Sequence, residues 1–262
     1  MASTKSKPTL EKIAKAILPE RPLYILRASK IPQEFRPVGT LALAGRHLDL
    51  TLQDYIPKWR GRRNLILLND LEIGDYTHAM YHAGPRRIYK RRETLMVLAH
   101  ELSHVAARPI LESEKDDNLD PAFSKAVTAS LVDFCKDTPS AAAAPCSWAG
   151  HGGDFIRTLF HTAHRVRQVA DEWLPRTGWF DPKQYSLPSR EDEYRAALGD
   201  EPERLADVPL TELSSIEPPA SFAKLWRDGV QAWFNAIPNP SDSQASVWAR
   251  GLTIFSQFLE RN

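Results

Sequence analysis

HELSH, His100 to His104, holds two histidines four residues apart with a glutamate directly after the first. On a helix that spacing puts both imidazoles on one face, one turn apart, within reach of a single zinc ion. Glu101 then falls beside the metal. There it can take a proton from a water that the metal holds, which is the chemistry of zinc-dependent peptide hydrolysis. The surrounding run, ETLMVLAHELSHVAA, reads as one helix. Leu95, Val97, Leu98, Ala99, Leu102, Val105 and Ala106 make it apolar on nearly every side, as in an element that crosses a domain interior. Burying two histidines and a glutamate there without partners would cost about 2 kcal/mol or more per unsatisfied group. A metal removes that cost, which favours a zinc site over a surface helix with incidental histidines.

Catalytic zinc usually takes three protein ligands and leaves a fourth position for water. The extended metzincin pattern needs a glycine at 107 and a histidine at 110, but the chain has Ala107 and Ile110. A distal glutamate at 123 is also absent, because that residue is Phe123. Glu112, Glu114 and Asp116 lie in a run with the character of a solvated loop. His151, in WAGHGGDF, is the leading candidate. It follows small residues, precedes a helix, and has glycines beside it that let the backbone approach a metal. His161 and His164 on the following helix, and Cys146, remain as alternatives. His161, Tyr81 and Tyr89 are candidates for stabilising an oxyanion. His47, His78 and His82 carry no motif.

The elements that must position these residues follow from periodicity. Leu10, Ile13, Ala14, Ile17 and Leu18 have helical spacing, and Pro19 and Pro22 close that helix. PLYILRAS and RNLILLND have the length and composition of strands. TLALAGRHLDLTL alternates apolar residues, which suggests a hairpin around Gly45. DYTHAMYHAGPRRIYK suggests two strands around the turn His82–Pro85. Beyond the HELSH helix, helices are expected over PAFSKAVTASLVDFCKD and over DFIRTLFHTAHRVRQVADEWL, the latter capped by Asp154. An acidic, proline-containing stretch then leads to two more helices, SFAKLWRDGVQAWFNAI and SQASVWARGLTIFSQFLE. Strands followed by helices indicate an α+β fold.

The chain has 262 residues, enough for a sizeable core. Its net charge of +1 imposes no global attraction to nucleic acid or membranes. Locally, Lys58–Arg92 holds nine basic residues against three acidic ones, and Arg190–Glu217 holds nine acidic against three basic. Such segments either attract each other or form separate solvated faces, and the second is the ordinary case. Two cysteines, Cys135 and Cys146, are too few for a disulfide framework or a cysteine-based zinc ribbon. The N-terminus lacks an apolar core of signal-peptide length, and no run approaches a membrane span, so a cytoplasmic protein without a membrane partner is expected.

HELSH followed by a separate histidine in the form HGxxF, here His151 to Phe155, resembles the SprT-like zinc metallopeptidases. The likeness covers about residues 75 to 165. It implies a zincin-like fold, a small mixed sheet whose edge strand packs on the HExxH helix, with additional helices. It also implies Zn2+ as the cofactor, His100, His104 and His151 as its ligands, and Glu101 as the catalytic base. The segment HAMYHAGPRRIYK occupies the place where an edge strand of zincins pairs with a bound peptide, so a peptide or protein substrate would add near Met80 and Tyr81. Residues 1–185 would form the metallopeptidase domain, and 186–262 an acidic linker with a helical extension. The chain departs from the family in the long interval between His104 and His151 and in lacking a cysteine ribbon. Two other readings stand beside this one: a non-catalytic zincin-fold module with structural zinc, and a nucleic-acid-associated protein that uses KWRGRR and PRRIYKRR.

Overall fold

The structure is a computed structural model, and it describes residues 7–37, 41–45, 48–61, 63–74, 86–107, 153–174, 191–226 and 228. It is a mixed α+β fold with a small three-stranded sheet and several helices. Helix α1 spans Leu10–Ile17, with the Thr9 side chain accepting from the Lys12 amide at its start. Strands β1 (Leu23–Arg27), β2 (Ala42–Gly45) and β3 (Asn64–Leu68) form a sheet in the order β1-β3-β2. β1 runs parallel to β3, and β2 runs antiparallel to it.

β3 is the central strand, and its near-continuous apolar run reflects burial on both faces. Ile66 and Leu68 join Leu23, Ile25 and Ala42 in the core under the HELSH helix. Leu65 and Leu67 point the other way and pack with Leu26, Ile31, Leu52 and Ile56. The period-two pleat thus feeds two separate cores from one strand.

A short helix α2 (Leu48–Thr51) follows β2, so the expected hairpin around Gly45 does not form. β2 pairs with β3 instead, Leu43 opposite Leu67, and finds there a buried partner that a local hairpin would lack. Helix α3 spans Arg86–Ala107. It begins seven residues earlier than ETLMVLAHELSHVAA, so Arg86–Lys90, expected as a strand, form its first turns. Pro85 precedes this start, and a proline there favours a helix beginning over a continuing strand. The first expected strand of that pair and the helix over residues 121–137 lie outside the described residues.

Helix α4 (Gly153–Ala170) packs along α3, and Asp154 falls inside its first turn. The acidic stretch is helical where it is described: α5 (Glu191–Leu198), α6 (Glu201–Arg204), a 3-10 segment Leu210–Ser215, and helical residues 220–226. Leu210 and Leu213 enter the main core with α3 and α4. Tyr194, Leu198 and Phe222 form a second cluster with Phe155, Ile156, Leu159 and Phe160 of α4. The expected division near residue 186 falls outside the described residues. Among the described residues no helix is long and apolar enough to cross a membrane.

Candidate metal centre

Helix α3 carries the HELSH residues through the interior. Leu95, Leu98, Ala99, Leu102 and Val105 are fully buried around them. Its C-terminal turn is pinned by the buried Arg21, which donates through Nη1 to the carbonyl of Val105. A cation at that end also complements the helix dipole.

The Nε2 atoms of His100 and His104 lie 3.2 Å apart. Two nitrogens each about 2.05 Å from one tetrahedral zinc ion would be separated by about 3.3 Å. The pair therefore has the span of two adjacent ligands, and the donor set suits zinc. Both rings are half-buried, and Glu101, between them in sequence, is only 7% exposed.

Phe155 packs against both histidines. Its ring centroid lies 5.1 Å from that of His100 and 4.4 Å from that of His104. This is the phenylalanine of His151-Gly-Gly-Asp-Phe155, so the first turn of α4 brings the end of that motif against the histidine pair. His151 lies outside the described residues, two positions before α4 begins. Among the described residues no three His, Cys, Asp or Glu side chains gather to hold a metal.

That finding bears on the alternatives. His161 and His164 are described and do not join the pair. His161 is fully buried, with Nε2 3.7 Å from Oε2 of Glu201. His164 lines a cavity of about 230 Å3 with Phe160, Arg167, Arg195 and Glu203. Burial pushes its pKa down; nearby Arg167, His161 and Arg165 act in the same direction, against the carboxylate of Glu203. Tyr89 sits eleven residues before His100 on the same helix, about 16 Å along its axis, too far to stabilise an oxyanion at the pair. Tyr81, Met80 and Cys146 lie outside the described residues.

Sequence reasoning missed the polar face of α4. Arg157, His161 and Arg165 recur at four-residue spacing and line one face. Arg157 donates to Oε1 of Glu201 through Nε (3.0 Å) and Nη2, and through Nη1 to the carbonyls of Leu213 (2.9 Å) and Ile216 (2.6 Å). Arg165 donates to the carbonyls of Leu205 and Val208. Burial alone would raise the Glu201 pKa. The contacts with His161 and Arg157 outweigh it and hold the carboxyl below the usual range. The i, i+4, i+8 recurrence of Arg157, His161 and Arg165 was the available signal for a partner rich in carbonyls and carboxylates.

Among the described residues no ion pair joins Lys58–Arg92 to Arg190–Glu217. Arg91 and Arg92 turn instead to Glu172, which Lys7 also contacts. No protein-family model matches the chain, and neither the curated proteins nor the solved structures contain a significant match.

Proposed function

We propose that this chain is a zinc-dependent hydrolase of peptide bonds, SprT-like in kind, with His100, His104 and His151 as metal ligands and Glu101 as the base. The observation that carries the reading is the 3.2 Å approach of the two Nε2 atoms on a buried helix. At that distance a neutral pair can share one N–H···N hydrogen bond, whereas a cation would take both Nε2 lone pairs as ligands. Zinc, when bound, supplies Lewis acidity, lowering the pKa of water towards about 7 and polarising a carbonyl oxygen.

The protein's own groups do the rest. Glu101 accepts a proton from the attacking water and returns it to the leaving amine. Its near-complete burial keeps bulk water from competing for that proton. Phe155 walls one side of the histidine rings and limits their rotation. Pro85-flanked residues before α3 are where the zincin reading seats an extended substrate.

Elemental analysis of the purified chain combined with Glu101→Gln tests this. About one zinc per chain is expected in both proteins. Cleavage of a denatured protein substrate should fall by about 100-fold or more in the variant, because an amide cannot accept the proton. A chain without zinc would overturn the reading. A zinc-loaded variant as active as the parent would remove Glu101 from its role, and a zinc-loaded parent without turnover would leave a structural zinc module.

A further inference from the structure

We propose that Trp226 is a positioning residue for the histidine pair, acting through Gly153 and Phe155 at the start of α4; this rests on the metal-centre reading above. Gly153 opens α4 with the Trp226 indole packed directly on it. A Cβ at position 153 would stand 3.2 Å from three ring atoms of Trp226, Cδ1, Cδ2 and Cε2. That is closer than side chains normally approach, so glycine is what lets the indole lie flat on the helix end. Trp226 also packs against the cluster that holds Phe155, with Tyr194, Leu198 and Phe222. Phe155 in turn lies against both His100 and His104. Packed side chains therefore link residue 226, through the cluster that holds Phe155, to the two candidate ligands.

The same segment is bolted to α4 independently of Trp226. Arg157 holds the carbonyls of Leu213 and Ile216 and the carboxylate of Glu201, and Arg165 holds the carbonyls of Leu205 and Val208. These bonds leave residues 201–216 anchored if the indole is removed. Loss of Trp226 should thus free the first turn of α4 without detaching the segment. Phe155 would then relax into the vacated space, and the histidine rings would lose the wall that orients them. Groups that orient metal ligands from outside the coordination sphere typically govern affinity by about 10- to 100-fold.

The test compares the full chain with Trp226→Ala, Trp226→Phe, Gly153→Ala and Leu52→Ala, the last a core change on the opposite face of the sheet. Zinc affinity is measured by competition with a chromophoric chelator, the site is loaded with cobalt for its absorption spectrum, and thermal midpoints are recorded. Trp226→Ala and Gly153→Ala should weaken zinc by about 10-fold or more and alter the cobalt spectrum. Trp226→Phe should recover most of the affinity, and Leu52→Ala should lower the midpoint with parental affinity and spectrum. A folded Trp226→Ala or Gly153→Ala protein with parental affinity and spectrum overturns the proposal. So does an equal loss in Leu52→Ala, which would reduce the effect to stability. If the parent binds no zinc, the metal-centre reading fails by itself. Ring NMR resonances of His100 and His104, shifted by the nearby Phe155 ring, then decide the positioning role: unchanged resonances in Trp226→Ala reject it.

Discussion

At the scale of single residues, the histidines of this chain divide by what surrounds them. His100 and His104 face each other at 3.2 Å and share a phenylalanine wall, whereas His161 faces a buried glutamate. The two environments predict opposite phenotypes. His100→Ala or His104→Ala should reduce bound zinc from about one per chain to a trace while the fold persists, checked by elemental analysis alongside circular dichroism. His151→Ala should likewise weaken zinc. His161→Ala should keep zinc at the parental level and lower the unfolding free energy, because it leaves a void and a less satisfied Glu201. Full metal occupancy in the His151 variant, with loss in the His161 variant, would move the third ligand to the later helix.

At the scale of elements, α4 couples two structures. One face meets α3 and the histidine pair; another meets residues 201–217 through buried arginines. The Arg157–Glu201 pair is almost wholly out of solvent. Removing one partner of a buried pair leaves an uncompensated charge and costs about 3–5 kcal/mol. Glu201→Ala should therefore lower the urea midpoint sharply. Lys224→Ala breaks an exposed pair with Asp228 and should stay within about 0.5 kcal/mol of the parent. Comparable losses in the two variants would mean that Arg157 finds water or another acceptor when Glu201 is gone.

At the scale of the whole molecule, the titrating groups favour neutral over acidic pH. Burial raises the Glu172 pKa, but hydrogen bonds and charge from Lys7 and Arg92 prevail and hold it below the ordinary 4.5. Glu201 is held low in the same sense. A carboxyl lowered by folding contributes stability above its unfolded pKa, and that stability is lost as pH falls through the folded one. His164, lowered from 6.5 mainly by burial, acts earlier. Between 6.5 and its folded pKa the unfolded chain takes the proton first, so acidification drains stability there too. The urea midpoint measured with a chelator present, to remove metal linkage, should fall from pH 7 to pH 5 and again below about pH 4.5. Glu172→Gln should flatten the lower limb. A midpoint independent of pH across this range would contradict these assignments.

The local features of this chain were legible in its residues. The α1 pattern from Leu10, the apolar runs of β1 and β3, the HELSH helix and the helix from Asp154 rest on periodicities that span a few residues, and the structure contains each. The spacing of His100 and His104 dictated their convergence for the same reason: a helix turn carries its own geometry. Contacts between distant residues were not legible. Nothing near Ala42–Gly45 says that this strand pairs with β3 rather than with the residues after Gly45, because the choice depends on the buried partner it finds. Nothing near Glu201 says that it will neutralise Arg157, forty-four residues earlier, or that an acidic, proline-containing run will fold as helices against α4. The placement of Phe155 on the histidine rings and of Trp226 on Gly153 is of the same kind. Local sequence sets which turns and faces can exist, and burial of apolar surface together with satisfaction of buried charge decides which of them meet.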